Sequence, residues 1–238
     1  MKRFWVAIAT SLIVAISVYA VWYYAPAAVA GGGPVTIFTD FSGGVDVDTT
    51  GNITVQKYTV TVNSTINKCL VVVGESHWES PSPTVTGVTF NGNAMTVAGN
   101  VTPGPFRSSA AYYAAGNLTA GTYTVEITYS SALNEANSGV IFFSGVNQSS
   151  PVGSVVTTSG SGTSASTGAM SSEPNGMYVA IVGTHEDITL NGGVTSRYVT
   201  DASGTVSRGY SAAGAASVTM SWILAPQNWS LIAFPVNP

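Results

Sequence analysis

Two histidines of the chain stand in settings that could bind a metal ion. Each follows an apolar run and a glycine and sits among acids, one in Gly-Glu-Ser-His-Trp-Glu and the other in Gly-Thr-His-Glu-Asp. If the two runs are neighbouring strands, these side chains meet at one end of the fold, in a combination that suits Zn²⁺ or Ca²⁺. No His-x-x-x-His spacing supports such a site, so we predict no metal and no cofactor. The weak candidates for a metal site are His77, His185, Glu75 and Glu186.

Two other arrangements invite a catalytic interpretation. Ser211 lies in Gly-Tyr-Ser-Ala-Ala, one residue short of a nucleophile elbow, and that motif needs a strand, a turn and a helix that this chain does not offer. Glu75 and Glu79 could form the carboxylate pair of a glycosidase. On one strand, however, they point to the same face, and no opposing cleft is indicated. We therefore predict that the protein is not an enzyme.

Six Asn-x-Ser/Thr sequons occur in the chain, where chance in so Ser/Thr-rich a sequence gives about three. All of them fall at predicted turns or strand ends, where an attached glycan would stay in solvent. We expect N-linked glycans there, although an excess of this size also fits chance occurrence. The sequons are Asn52, Asn63, Asn100, Asn117, Asn147 and Asn228.

The segment 31–44 carries glycines at both ends of a short apolar strand. Alternate residues of an extended strand face one side, and here they are Val35, Ile37, Thr39 and Phe41. Such a strand can pair with the open sheet edge of a neighbouring molecule while its side chains fill that neighbour's groove. Repeated head to tail, this contact does not close and gives a filament. The alternative is that the strand pairs within its own domain.

The composition excludes several classes of protein. Only 8% of the 238 residues are charged, against roughly 25% in an ordinary soluble domain. Seven Lys and Arg and a net charge of −4 cannot supply the basic surface that nucleic acids require. With 45% hydrophobic residues the chain is not disordered, and the single cysteine, Cys69, excludes an internal disulfide framework.

The elements that must position these residues are strands. The chain beyond the N-terminal segment lacks a helix-period apolar pattern, and its candidate strands, about 8–15 residues apart, suit an all-β fold: a single two-sheet β-sandwich of jelly-roll or pilin-like type. Leu70–Val73 and Met177–Val182 are continuous apolar runs, which predict central strands covered on both faces. We interpret Val35–Phe41 as one strand and the Ser/Thr/Gly tract Ser159–Ser172 as a long surface loop.

The N-terminus has the pattern of an export signal. A short basic stretch precedes 21 uncharged residues, and Ala28-Val29-Ala30 is a possible cleavage site. Residues 1–30 are therefore predicted to be a signal peptide, with a retained membrane anchor as the alternative. Residues 31–44 would then form the glycine-hinged strand, and residues 45–238 the sandwich domain.

Part of the chain resembles a known kind of module. The stretch from Val85 to Gly153 is similar to a β-sandwich module of secreted and cell-surface proteins of prokaryotes. The matching pieces are Val88–Val97, Tyr112-Tyr113, Ala120–Tyr129 and Phe143–Gly153. In the last piece the module usually has Ser-Gly-Val-Asp-Gln, so Asn147 departs from it and creates a sequon. The resemblance implies a fold and says almost nothing about function.

A narrower resemblance is to the archaeal thread pilins, the glycosylated subunits of a surface filament joined by donor-strand complementation. It rests on the export signal, the all-β domain, the glycine-hinged strand and the sequons. It implies a structural subunit outside the cell, in a cell-surface filament, with a role in adhesion. Its partners would be other copies of itself and N-linked glycans, with no nucleic acid, and the membrane would be met only through the N-terminal segment before cleavage. The alternative is a monomeric secreted or membrane-tethered module for adhesion or carbohydrate binding.

Overall fold

The fold is built from β-strands in all the residues that the structure, a computed structural model, describes: 33–79, 83–102, 108–186, 188–191, 193–202 and 205–238. The predicted signal segment lies outside these residues. In chain order the strands are β1 Thr36–Phe38, β2 Phe41–Gly43, β3 Val45–Asp48, β4 Ile53–Val62, β5 Ile66–His77, β6 Val85–Phe90, β7 Asn93–Ala94, β8 Thr96–Val101, β9 Ser108–Leu118, β10 Gly121–Leu133, β11 Ala136–Ser144, β12 Val156–Met170, β13 Met177–Thr184, β14 Ile188–Asn191, β15 Thr195–Ala202, β16 Thr205–Ala213 and β17 Val218–Val236.

These strands form three antiparallel sheets. Sheet A has the order β1-β11-β5-β9-β8, and β3 also pairs with β11. Sheet B has the order β2-β4-β10-β6-β7. Sheet C has the order β12-β17-β13-β16-β15, and β14 also pairs with β17. The predicted all-β class is therefore confirmed, but the prediction of two sheets was one sheet short.

Sheet A lies between the other two, because both of its faces are apolar. Along β5 the side chains alternate: Val71 and Val73 pack with residues of sheet B, and Leu70 and Val72 pack with residues of sheet C. A strand that is apolar on both faces requires a layer on each side. The run Leu70–Val73 was interpreted in this way, and β5 is indeed the middle strand of sheet A. The same holds for Met177–Val182 in β13, the middle strand of sheet C.

Sheet C has a third core on its outer face. β17 is 19 residues long and pairs with β12 along most of its length, with register shifts in β12 between Gly162 and Ser164 and between Ser166 and Ala169. β12 and β17 form a two-stranded ribbon, and the first half of β17 supplies Met220 and Trp222, which pack on Tyr178 and Tyr210. The ribbon therefore folds back over β13 and β16 and closes a hydrophobic layer without a fourth sheet.

Two sequence-based interpretations are wrong in detail. Ser159–Ser172 is a long strand up to Met170 rather than a surface loop, because its small residues form an edge strand with one wet face beside β17. Val35–Phe41 is not one strand: β1 ends at Phe38 and β2 begins at Phe41, and the chain crosses between sheets A and B there. The solvated pair Thr39-Asp40 makes this crossing.

One tyrosine packs especially closely between sheets A and C. Tyr198 of β15 is only 6% exposed, and its ring lies against glycines on three different strands, Gly74, Gly139 and Gly209. A Cβ atom at Gly139 would come within 2.5 Å of the Tyr198 ring. Any larger residue at one of these three positions would collide with Tyr198, so only glycine leaves the slot open. The Tyr198 hydroxyl lies 3.3 Å from Ser207 Oγ.

Replacing Gly139 by alanine should destabilise the protein by about 1–3 kcal/mol, because the new methyl group overpacks the slot. The matched control is Gly87→Ala in β6, where a Cβ meets nothing within 4 Å. That variant should be neutral or slightly stabilising, since alanine loses less backbone entropy than glycine. Urea unfolding midpoints measure both. Equal unfolding midpoints for the two variants would contradict the close packing of Tyr198 on Gly139. A second substitution, Tyr198→Leu, should restore part of the lost stability only when Gly139 is already alanine.

Residues 32–238 cluster as one compact unit. Within the part of the chain that the structure describes, no helix is long and apolar enough to span a membrane.

Candidate functional site

The N-terminal segment, residues 33–48, is attached to two sheets by short strands at their edges. β1 pairs with β11 in the register Thr36 to Ser144 through Phe38 to Phe142. β2 then pairs with β4 in sheet B, and β3 returns to β11 in sheet A. In this structure the candidate donor strand therefore pairs within its own chain.

The four residues predicted to face one way are divided between two cores. Val35 is 5% exposed and, with the half-buried Ile37, packs between sheets A and C. Phe41 packs between sheets A and B, where its ring meets Phe142 edge to face at 5.0 Å. Thr39 is exposed. The prediction of a single facing row was wrong because the chain changes sheets between Thr39 and Phe41.

Asp40 holds the crossing in place. Its carbonyl accepts a hydrogen bond from Asn63 N at 3.0 Å. Its carboxylate accepts from Asn63 Nδ2 at 3.2 Å and from Ser64 Oγ at 2.6 Å. These three bonds connect the N-terminal segment to the end of β4, and two of them involve a charged acceptor, which strengthens them.

Two glycines stand at the junction of β2 and β3. Gly43 and Gly44 have φ angles of 73° and 78°, in the left-handed region that favours glycine. A Cβ at Gly43 would also approach Thr59 O to 2.8 Å. The chain can therefore turn sharply from β2 to β3, and residues 33–42 form an arm joined to the domain through two permissive residues.

A second site is a buried polar network in the core between sheets A and B. Glu75 and His77 of β5 are at most 1% exposed, and Glu75 Oε1 lies 2.8 Å from His77 Nδ1. The Tyr129 hydroxyl lies 3.2 Å from both Glu75 Oε1 and Gln56 Oε1, so its one proton is shared between two acceptors. Gln56 Nε2 donates to Asp46 Oδ2 at 3.0 Å. The network thus runs from the middle of sheet A to β3 of the N-terminal segment.

The Pro83 carbonyl fixes the proton arrangement of this network. It lies 2.8 Å from His77 Nε2, and a carbonyl oxygen only accepts, so Nε2 must carry a hydrogen. Nδ1 faces the Glu75 carboxyl, so the contact needs one further proton, on either partner. Without that proton, a carboxylate would face a bare nitrogen lone pair in a site closed to water.

The protonation of His77 gives stability a definite pH dependence. Burial lowers the pKa of His77, but the charge and hydrogen bond of Glu75 and the Pro83 carbonyl raise it more, so the net shift is upward from 6.5. A group whose folded-state pKa is raised stabilises fully below its unfolded-state pKa and loses this effect as pH rises through the folded-state value. Burial, with a smaller contribution from Asp48, likewise raises the pKa of Asp46.

We therefore expect the free energy of unfolding to fall as pH is raised from about 6.5 through the folded-state pKa of His77. Urea unfolding at a series of pH values from 5 to 9 measures it. The control is Glu75→Gln, whose amide can donate to the bare Nδ1 without the shared proton, so its profile should be flatter. A wild-type stability that is constant or rises across this range would contradict the arrangement.

The candidates for a metal site are separated. Glu75 and His77 are bonded to each other inside the core, whereas His185 and Glu186 lie at the surface with Nδ1 and Oε1 3.9 Å apart. Trp78 follows His77 in the chain, and its ring lies edge to face with that of His185, with the ring centroids 6.3 Å apart. Among the residues that the structure describes, no group of three or more His, Cys, Asp or Glu side chains could hold a metal ion.

Known proteins offer no assignment for the N-terminal strands or the buried network of this chain. No family model, curated protein or solved structure matches it.

The residues considered for catalysis are held in structural contacts. Ser211 is fully buried in β16 and accepts a hydrogen bond from Arg197 Nε at 2.6 Å. Glu79 Oε2 accepts from Asn134 N and Nδ2 at 3.0 and 2.9 Å. Glu75 belongs to the buried network. The structure does not bring these three side chains to one cleft.

The sequons are distributed over the surface. Five of the six asparagines are exposed, and Asn147 is half-buried, with its Oδ1 accepting from Ser149 N and Ser150 N. Asn100 and Asn117 are the next-to-last residues of β8 and β9, at strand ends, whereas Asn228 lies in the interior of β17. Solvent access at five positions is compatible with attached glycans.

Sequence reasoning missed three residues of these sites. Gln56 and Tyr129 have the ordinary alternating positions of a sandwich strand, and nothing in their neighbours indicates a buried carboxyl partner across the core. Asp40 resembles any turn residue. The one available signal was that Glu75 and His77 share a face of one strand and follow its apolar run Leu70–Val73.

Proposed function

We propose that this protein is a structural subunit of an extracellular surface filament, assembled head to tail by exchange of its N-terminal arm and carrying N-linked glycans. The observation that supports it is the arm itself. Residues 33–42 fill the edges of two sheets and are followed by the two positive-φ glycines Gly43 and Gly44. The same contacts can therefore be made by the arm of a neighbouring copy.

The arm lies at the edges of its sheets, and its apolar side chains pack against two hydrophobic cores. β1 pairs with β11 along three residues, and no other described strand pairs with β1. Its departure would break few ladder hydrogen bonds. The apolar side chains Val35, Ile37 and Phe41, however, would leave two hydrophobic cores, at about 1.5–3 kcal/mol for each fully buried one. A copy whose own arm has left these sheet edges is therefore expected to bind the arm of another copy strongly.

Exchange in one direction gives a filament. When the arm of one copy fills the groove of the next, the surface that gives differs from the surface that receives, and such a heterologous contact does not close. Each subunit then receives one arm and gives one. Because exchange replaces a contact by an identical one, protein concentration decides between the self-paired and the exchanged form.

The surface chemistry suits dense packing of copies. The chain has 8% charged residues, so aligned copies meet little like-charge repulsion. The exposed sequon asparagines offer sites at which glycans would keep such a surface soluble. The archaeal thread pilins, which the sequence resembles, are likewise glycosylated subunits of a surface filament.

The alternative function, a monomeric adhesive or carbohydrate-binding module, is favoured by one observation. Trp222 and Trp229 are in the core of sheet C, but Trp78 is 39% exposed beside His185 at one end of the molecule. An exposed tryptophan can stack on the apolar face of a sugar ring.

The native size of the purified protein tests the proposed function against this alternative. Rod-like or SDS-resistant oligomers whose population grows with concentration are the expected result. A sharp monomer peak at all concentrations, together with affinity for a glycan, would overturn the filament in favour of the module.

A further inference from the structure

A groove opens where the N-terminal arm meets sheets A and C. Its volume is about 240 Å³, and its apolar walls come from β1, β2 and β11, while β15 closes one side. The residues that matter here are Ile37, Phe38, Phe41, Val140, Phe142 and Arg197. The groove therefore has one apolar side and one polar side, and the polar side carries Thr39, Ser196 and the cation of Arg197.

Arg197 is uncompensated in this setting. Its Nε donates to Ser211 Oγ at 2.6 Å, and none of the ion pairs between described residues includes it. Its side chain is half-buried, and burial lowers the pKa of the guanidinium, which stays charged at neutral pH as arginine does in proteins. The Nε bond orients the group, so its terminal amino groups remain available as donors. A guanidinium in this state matches a carboxylate, which it can bind through two parallel hydrogen bonds.

We propose that this groove binds a short aliphatic carboxylate, with its head on Arg197 and its hydrocarbon tail along Ile37, Phe38 and Phe41. A volume of about 240 Å³ limits the ligand to a short chain, and we take hexanoate as the test compound. The tail takes the apolar walls and the head takes Arg197, the one charged side chain among the described lining residues, which is the usual division of a small-molecule site. The proposal goes beyond filament assembly and does not depend on it, because the groove exists in the self-paired chain.

Titration with hexanoate, followed by NMR of the isotope-labelled protein, tests this binding. Saturable shifts of amide signals in β1, β2, β11 and β15 are the expected result, with weak affinity because the ligand is small. Hexylamine, 1-hexanol and acetate should each bind at least about tenfold more weakly, since each lacks the head or the tail.

Arg197→Gln should weaken hexanoate binding by about 10–100-fold, the effect of losing charge-assisted hydrogen bonds. The matched control is Lys57→Gln, which removes an exposed cation paired with Glu126 elsewhere and should leave the affinity unchanged. Equal binding of hexanoate and 1-hexanol, or equal loss in both variants, would overturn the proposal. So would binding of an acetylated acidic peptide in place of hexanoate, because it would assign the groove to a protein partner.

Discussion

A variant that lacks residues 31–42 should remain folded, fail to assemble, and lose roughly 3–5 kcal/mol of stability. The loss comes from Val35, Ile37 and Phe41, which leave the two cores flanking sheet A. The fold should persist because β11 remains paired with β5 along eight residues and with β3 along four. Assembly should stop because every copy has an acceptor edge and none has an arm. Circular dichroism and light scattering after size-exclusion chromatography measure the two effects.

A peptide of residues 31–42 should bind this truncated variant and restore most of the lost stability. The matched peptides differ at one position. Ile37→Asp puts a charge into the core between sheets A and C and should abolish binding, whereas Thr39→Asp changes an exposed residue and should bind nearly as well. Gross unfolding of the truncated variant without rescue by the peptide would contradict the exchangeable arm, as would continued assembly without the arm.

Replacing His77 by alanine should destabilise the protein by about 3–5 kcal/mol, the largest effect that we expect from a single substitution. The variant leaves the Glu75 carboxyl fully buried without its 2.8 Å partner, and the remaining Tyr129 hydroxyl is already shared with Gln56. Burial and the neighbouring Glu75 raise the pKa of Tyr129 well above its ordinary range, so this hydroxyl stays protonated and cannot supply a charge. Urea unfolding at pH 6 measures the loss.

The matched control for this substitution is His185→Ala. That histidine also lies beside a glutamate, but its side chain is 47% exposed and its contact with Glu186 is 3.9 Å long. An exposed pair of this kind contributes little, so the control should change stability by less than about 0.5 kcal/mol. Similar losses in the two variants would show that the buried network does not stabilise the fold as its geometry indicates.

The sequence predicts the individual strands of this fold better than the number of its sheets. The alternation of Thr122–Tyr129 and the apolar runs of β5 and β13 predict strands correctly, because period and burial are local properties. The third sheet could not be predicted in the same way. The apolar runs call for a cover on both faces, but they do not show that a third sheet supplies it. The glycines that accommodate Tyr198 of that sheet, Gly74, Gly139 and Gly209, are distant in sequence and become meaningful only when the tyrosine lies against them.

The candidate site shows the same limit. Glycines around an apolar strand predict a hinged arm; the structure shows these residues at the edges of two sheets, with Gly43 and Gly44 after them at positive φ. Its side-chain directions could not be predicted, because the crossing at Asp40 depends on Asn63 and Ser64, more than twenty residues further along. The Glu75 and His77 pair was visible in the sequence, but Pro83, which fixes its protonation, lies beyond the strand.

One cross-linking measurement tests the exchange of the arm most directly. Thr36 and Ser144 face each other across β1 and β11, with their hydroxyl oxygens 2.7 Å apart, so cysteines at both positions should form a disulfide. Burial raises the pKa of Cys69 to about 12, which keeps this native thiol unreactive. The control pair is Thr61 and Thr122, which face each other within the domain at 3.0 Å. In oxidised, assembled protein, we predict a covalent ladder of multimers for the first pair and monomers for the control. Monomers for both pairs would mean that the arm stays in its own chain, and would contradict assembly by exchange.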